Sequence, residues 1–411
     1  MKVLKFGGTS VGSSKNINKV ISIVGAYALS DTIICVVSAV GGITDKLLRA
    51  GTLANNKDES YKNEFEAIQK IHINLISELI PKPNKSILNH VENILLELKN
   101  LLDGIYLINE LSPKTSDKLV SFGELLSSYI ISEALISKKA DAELKNSQEL
   151  IVTNSNFTKA EVNYTLTNKS IKAYFKNAKQ KITILPGFIS KSNRDEITTL
   201  GRGGSDFTAA IVAAALKVNQ LEIWTDVSGM YTANPKLVKQ AFPIEKISYQ
   251  EAMELSHFGA KVLYPPTVQP VFDLNIPIHI KNTLKPEDTG TIISKANESI
   301  SGQSPIKGIS HIDSVTLLTL EGSGMVGIPG FSKRLFETLA QEKINVILIT
   351  QASSEHSICI GIEEKVAERA KKAIDSTFEY EISLHKINPI GVEKDLSIIA
   401  LIGDNMKNHQ G

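Results

Sequence analysis

Residues 2–42 read KVLKFGGTSVGSSKNINKVISIVGAYALSDTIICVVSAVGG, and one pattern occurs in them twice. A short apolar run at 3–6 enters glycines, after which residues 16–29 place apolar side chains at helical spacing. A second run, TIICVV, is rich in β-branched residues and enters glycines again at 41–42. Two successive strand–glycine loop–helix units predict a parallel sheet of an α/β fold.

The same logic extends along the chain. Residues 59–139 read as mostly helical, since KNEFEAIQKIHINLISELI and ILNHVENILLELKNLLDGI both space apolar residues by three and four. Strands and helices alternate again from about 149 to 290, including KITILPGFI and QLEIWTDVSGMYTANP. The stretch 285–313 changes to Pro, Gly, Ser and Asp, which predicts a boundary: a first domain over 1–290 and a linker over 291–313. Beyond it, SVTLLTLE, FSKRLFETLAQEK, NVILITQ, SICIGIEE and VAERAKKAIDSTF alternate strand and helix in a smaller α+β domain over 314–395. TLLTLEGSGM (316–325) is echoed by SIIALIGDNM (397–406), so residues 396–411 read as the first strand of a second such unit, cut short before its helix.

Composition narrows the function. Forty-five Lys+Arg against 44 Asp+Glu leave a formal charge of +1, which gives no support for a nucleic-acid or membrane-surface partner. No uncharged apolar run approaches the ~18–20 residues of a membrane span, and MKVLKFGGTS does not read as a signal peptide. Cys35 and Cys359 lie far apart in apolar runs and read as buried hydrophobes. The expectation is a reduced, cytoplasmic protein.

The glycine loops carry the chemistry. KFGGTS sets Lys5, Gly7, Gly8, Thr9 and Ser10 at the carboxyl end of the first strand, where open α/β sheets bind ligands. Glycine N–H groups, a lysine and the next helix N-terminus suit phosphate oxygens, although a tight strand–helix turn has the same look. SAVGGITD repeats the motif, either as a plain turn or with Ser38, Gly41, Gly42 and Thr44 lining the same cleft. In GRGGSD, Arg202 offers a planar fork for a carboxylate or phosphate, Gly203 and Gly204 offer N–H groups, and Ser205 or Asp206 is placed to cap the following helix. WTDVSGMYTANPK sets Thr225 and Asp226 at a strand end, with Tyr231 beyond, as nucleotide contacts or a simple turn. HFGAKVLYPPT offers Lys261 as a second cation and His257 as a structural residue; SFGELLSS offers Glu124 beside an apolar helix. No side chain is assigned to a metal.

Together KFGGTS, GGIT, SFGEL, TTLGRGGSDFTAA, WTDVSGMYTANP and FGAKVLYPPT resemble the amino-acid kinase family, and within it the aspartate kinases. That resemblance implies a three-layer α/β/α sandwich with a mainly parallel sheet, followed by an ACT-type βαββαβ regulatory domain. The wording EGSGMVGIPG and INVILITQASSEHSIC is closest to the bifunctional aspartate kinase–homoserine dehydrogenases. Those continue into a second ACT unit and a dehydrogenase domain, so dehydrogenase activity is not carried over.

The implied activity is transfer of the ATP γ-phosphoryl group to the β-carboxylate of L-aspartate, with Mg²⁺ accompanying ATP. The alternatives are another amino-acid kinase, such as one acting on glutamate or a nucleoside monophosphate, and an amino-acid sensor without catalysis. The resemblance implies that Arg202, with Gly203, Gly204 and Ser205, holds a substrate carboxylate, and that Thr44 and Glu124 contact aspartate, Glu124 at its ammonium. It implies that Lys5, Gly7, Gly8 and Lys261 face the ATP phosphates, with Thr9, Ser10 and Val262 beside them. Thr225, Asp226, Tyr231 and Lys236 match nucleotide contacts. Lys5, Lys261 and Asp206 are the catalytic candidates, Asp206 toward either Mg²⁺ or the ammonium. Asn345, Val346 and Gln351 match an effector site, for threonine first and lysine second, in a homodimer or homotetramer.

Overall fold

The computed structural model describes residues 1–257, 263–295, 306–351 and 356–403. Its first strand, β1 (Lys2–Phe6), is buried from Val3 onward, and a strand buried on both faces belongs inside a helix-covered sheet. Along the chain follow β2 (Ile33–Val37), β3 (Ala142–Leu144), β4 (Val152–Thr153), β5 (Ile182–Pro186) and β6 (Ile189–Ser192). Then come β7 (Ile197–Thr199), β8 (Leu221–Thr225), β9 (Lys246–Ser248), β10 (Ile278–Asn282) and β11 (Thr291–Ser294). Eight of these form one sheet in the order β3-β5-β2-β1-β8-β10-β11-β9, and β4-β6-β7 form a small second sheet. Every pairing in the large sheet is parallel except β10 with β11. Lys5 sits at its centre, opposite Val36 on one side and Ile223 on the other.

The helices of this first unit are α1 (Ser14–Ala28), α2 (Ile43–Asn55), α3 (Tyr61–Leu79), α4 (Lys85–Ile108) and α5 (Pro113–Ser137). They are followed by α6 (Tyr164–Asn177), α7 (Gly204–Leu216), α8 (Tyr249–His257) and α9 (Gln269–Phe272). Helix α1 buries Ile17, Val20, Ile21, Ile23 and Val24, the residues of its apolar spacing, and its N-cap Ser13 Oγ accepts Asn16 N–H at 3.2 Å. Helix α5 is long and apolar enough to cross a membrane, yet 78% of its apolar window is buried, as for a core helix. It carries both Glu124 and Asp117, which makes it the element on which the site is built.

The second unit covers Ile309–Ile402. It comprises β12 (Gly308–Glu321), α10 (Phe331–Gln341), β13 (Leu348–Gln351), β14 (Ser357–Glu363), α11 (Ala367–Thr377), α12 (Glu379–Ser383) and β15 (Gly391–Ile402), with sheet order β13-β14-β12-β15. Leu318, Leu320, Ile358 and Ile360 from the sheet meet Leu335 and Ile374 from the helices and Phe378 from the junction of α11 and α12. The Phe331 and Phe378 rings stack at 5.6 Å, and the Arg334 guanidinium lies 4.4 Å over Phe378 while pairing with Glu381.

Three expectations change. The linker over 291–313 loses both ends, because Thr291–Ser294 pair as β11 with β10 and β9, and β12 begins at Gly308. The first unit therefore extends past residue 290, to Gly308. Residues 396–402 do not open a separate unit: they belong to β15, the fourth strand of the same sheet, where they satisfy the edge of β12. Residues 404–411 lie outside the described residues. Finally, Cys35 is buried as expected, with its thiol pushed up by desolvation, whereas Cys359 on β14 is only half-buried.

Candidate active site

Two glycine loops meet at the carboxyl ends of β1 and β2. A Cβ on Gly8 would lie 3.2 Å from Ala39 O, and one on Gly41 would lie 3.1 Å from Gly8 O. The loops thus pack backbone against backbone, which side chains at these positions would prevent. Gly7 N–H donates to Trp224 O at 3.2 Å, tying the first loop to β8. Lys5 Nζ stands 3.4 Å from where a Gly7 Cβ would be, so the missing side chain leaves room for the ammonium. That ammonium lies 2.7 Å from Asp206 Oδ1, in a close ion pair with only 11% and 13% of the two side chains exposed. The contact is off the line of a hydrogen bond, which leaves Asp206 Oδ1 without an aligned donor.

Ser10 is placed differently from the phosphate-facing expectation. Its hydroxyl is buried, shares a 2.7 Å hydrogen bond with Thr283 Oγ1 and donates to Trp224 O at 3.3 Å. It braces the loop against the strand ends, while Thr9 stays exposed, its carbonyl accepting from Asn16 Nδ2 at 2.9 Å.

Beneath the second loop lies Glu124, fully buried on α5. Its Oε1 accepts Ala39 N–H at 3.2 Å, and among the described residues Oε2 has no partner. Ser127 Oγ, one turn on, donates to Ser38 O at 2.7 Å, and a Cβ on Gly123 would meet Ala39 Cβ at 2.8 Å, so α5 presses directly on this loop. Burial pushes the Glu124 carboxyl up to about 8, overcoming the hydrogen bonds that lower it. A buried acid with an orphaned oxygen is a receptor for a cation. Thr44, half-buried, stands in the first turn of α2, which Gly42 opens in the left-handed region at φ 78°.

The Arg202 loop joins β7 to α7. Gly203 takes the N-cap place at φ 70°, and its absent Cβ would lie 2.8 Å from Thr267 Cγ2. Ser205 and Asp206 therefore lie inside the first turn, and neither caps the helix as the sequence suggested; Asp206 reaches Lys5 instead. Gly204 N–H is taken by Gly201 O at 3.0 Å, so of this loop's expected donors it is already committed. Arg202 is exposed, its guanidinium 5.3 Å from the Tyr264 ring, and among the described residues no carboxylate pairs with it. A stacked, unpaired guanidinium is open to a carboxylate ligand. Ser205 packs against Gly187, whose Cβ would fall 2.6 Å from its Oγ.

At the end of β8, Thr225 Oγ1 donates to Asp226 Oδ1 at 3.1 Å, and Thr225 O accepts Thr283 N–H at 2.8 Å. Tyr231, half-buried, forms a bridge with Pro243, and Lys236 is exposed in a turn where Asn234 Oδ1 accepts its N–H. Lys261 and Val262 lie outside the described residues, as does the side chain of His257. Sequence reading missed Asp117 and Thr283, both buried; Thr283 bonds to Ser10 in the first loop, and Asp117 bonds to Thr199 at the end of β7, which leads into the Arg202 loop. In the second unit, Asn345 and Gln351 are exposed at either end of the segment into β13, and Val346 packs partly on the core.

Comparison with known proteins follows the same division. The model of the Amino acid kinase family matches residues 1–282, and that of the ACT domain matches residues 318–378. The bifunctional aspartokinase/homoserine dehydrogenase of Haemophilus influenzae is 35% identical over 100% of this chain and 50% of its own length. Aspartokinase 1, chloroplastic, of Arabidopsis thaliana is 32% identical over 98% of this chain and 70% of its own. The chain spans about half the length of the bifunctional relatives it matches, 45% in one from Arabidopsis thaliana. Among solved structures, E. coli aspartokinase III in complex with lysine and aspartate superposes with a TM-score of 0.81 at 31% identity, covering 99% of this chain and 88% of that one. The same enzyme in complex with aspartate and ADP gives 0.81 at 29% identity, covering 100% and 89%.

Proposed function

The chain belongs to the amino acid kinase family, and from that membership we propose that it transfers the γ-phosphoryl group of ATP to the β-carboxylate of L-aspartate, giving 4-phospho-L-aspartate. The observation that carries the reading is the meeting of the two glycine loops between Lys5, paired with Asp206, and the buried Glu124. It sets a cation for phosphates beside an acid for an ammonium. The aspartate and ADP held by the related E. coli enzyme agree with that pairing.

The substrate β-carboxylate, with a reference pKa of ~3.9, is ionised at neutral pH and needs no general base. What the protein must do is bring two anions together and neutralise the charge on the phosphoryl group as it moves in line. Lys5, held in place by Asp206, supplies a fixed charge at the end of β1, and Lys261 is proposed as the second. Arg202 takes the substrate's α-carboxylate and Glu124 its ammonium, leaving the β-carboxylate to face ATP. Thr225, Asp226, Tyr231 and Lys236 are proposed to contact the nucleotide. Among the described residues no three His, Cys, Asp or Glu cluster as metal ligands, and Asp206 is the one carboxylate beside Lys5. This donor set fits Mg²⁺ carried on nucleotide phosphates rather than held in a protein cage. When bound it would screen the phosphate charge.

The ACT domain is proposed to bind a regulatory amino acid, threonine before lysine, near Asn345, Val346 and Gln351 in a dimer or tetramer. Free Cys35 and Cys359 fit the reducing cytoplasm proposed as its location. The test is ADP release from Mg-ATP with and without L-aspartate, with threonine and lysine each added in turn. Aspartate-dependent, saturable release is expected; ADP release indifferent to aspartate would overturn the kinase reading.

A further inference from the structure

Asp117 is 1% exposed, and among the described residues no cation pairs with it. Its carboxylate is fully employed nevertheless. Oδ2 accepts Thr158 N–H at 2.9 Å and Thr199 N–H at 3.0 Å, and Oδ1 accepts the Thr199 hydroxyl at 2.7 Å. Thr199 ends β7, three residues before Arg202. Thr158 is held in the left-handed region at φ 70°, and its carbonyl lies 3.2 Å from where a Gly201 Cβ would be. Asp117 thereby grips the chain that leads into the Arg202 loop and the chain that lies against it. Asp117 also stands seven residues before Glu124 on α5, two turns away on the same face, about 10 Å along the axis.

We propose that Asp117 is the positioning residue of the amino-acid site: it fastens the Arg202 loop to the helix that carries Glu124, and so fixes the separation of the two groups that receive the substrate's α-carboxylate and ammonium. This rests on the kinase reading above. The β-carboxylate is aimed at ATP only if both other charges are held, so loosening one end costs substrate affinity and alignment together. Among the described residues the carboxylate of Asp117 bonds to Thr158 and Thr199 and not to the nucleotide loops, which are left as they are.

The experiment compares wild type, Asp117→Ala and Asp117→Asn. In Asp117→Ala the KM for L-aspartate rises about ten-fold or more, because the buried Thr199 N–H and the part-buried Thr158 N–H lose their acceptor, while the KM for ATP stays within about two-fold. Asp117→Asn recovers most of the loss, since its carbonyl still accepts both N–H groups and its amide can donate to Thr199 Oγ1. Parallel rises in both KM values, or an unchanged aspartate KM in folded Asp117→Ala, would overturn the proposal. Amide hydrogen exchange supplies a readout independent of turnover. Peptides spanning 197–206 exchange about ten-fold faster in Asp117→Ala, and those spanning 3–12 do not; equal protection of 197–206 overturns the proposal. If Asp117→Ala does not fold, Thr199→Val removes one of the three bonds and gives a smaller shift in the same direction, with no shift again a refutation. Absence of aspartate-dependent turnover in wild type removes the substrate assignment alone, and the exchange arm still decides the role of Asp117.

Discussion

Glu124 is an acid held in its protonated form up to about pH 8 by burial. Its folded pKa is above the unfolded value of ~4.3, so its contribution to stability is complete below that value and is lost as pH rises through about 8. An ammonium placed against the orphaned Oε2 reverses the preference and draws the proton off. Calorimetry at pH 7 in two buffers of different ionisation enthalpy is therefore expected to show close to one proton released per aspartate bound, and Glu124→Gln to release none and bind more weakly. Binding without proton release in wild type would place the ammonium elsewhere. Lys5 makes the complementary case. Removing it is expected to lower kcat by about a hundred-fold or more, as for loss of a transition-state charge contact, with aspartate affinity changed only a few-fold; near-wild-type turnover would end the phosphate assignment. Lys5 was legible as a candidate because it enters a glycine loop, whereas Glu124 was reached only through the resemblance of SFGEL to the family. Asp117 was reached by neither route: its partners Thr158 and Thr199 lie 41 and 82 residues away, and a lone aspartate early in a helix carries no mark of them.

The strands show where local pattern stops being informative. β1, β2, β5 and β8 are apolar runs buried at the centre of a parallel sheet, and such runs declare themselves. β11 does not, because TIIS lies among Pro, Gly, Ser and Asp, and it is a strand only through pairing with β9 and β10. β15 was misassigned for the opposite reason. Its resemblance to TLLTLEGSGM is real, but which sheet a strand joins depends on which edge is open, and the edge of β12 was. The turn between β10 and β11 gives a prediction at this scale. Gly290 has φ 76°, and a Cβ there would fall 2.1 Å from Ile280 O, so no side chain fits without moving backbone. Next to it, Thr291 Oγ1 accepts Met230 N–H at 2.8 Å, which ties the turn to the proposed nucleotide-binding loop after β8. Gly290→Ala is expected to cost about 2 kcal/mol or more in thermal or denaturant unfolding. Its KM for ATP should rise while that for aspartate holds. Unaltered stability would show that the turn can relax where the packing says it cannot.

At the scale of the whole molecule, the two units meet different demands. In the first, the large sheet buries its central strands and leaves its loops to the ligands. In the second, a four-stranded sheet has β13 and β15 as its terminal strands, and among the described residues of that unit no further strand pairs with either. β13 is exposed along its length, with Leu348 at 41% and Ile349 at 56%, and β15 exposes Ile399 at 72% and Leu401 at 54%. Exposed apolar side chains on a terminal strand are unusual in a protein that stays alone, because such an edge invites another strand. The regulatory and oligomeric parts of the proposal therefore meet on one strand, and one variant tests both. If β13 pairs with a second copy, the segment carrying Asn345, Val346 and Gln351 lies at the contact, and a bound amino acid would act on the interface. Ile349→Lys sets a charge on that strand and changes no residue proposed for the catalytic site. Light scattering is expected to show a smaller assembly for this variant than for wild type. Basal aspartate-dependent turnover should be unchanged, and the response to threonine or lysine lost. An unchanged mass would exclude β13 as the interface; an unchanged mass with the response lost would leave effector binding on β13 without assembly through it.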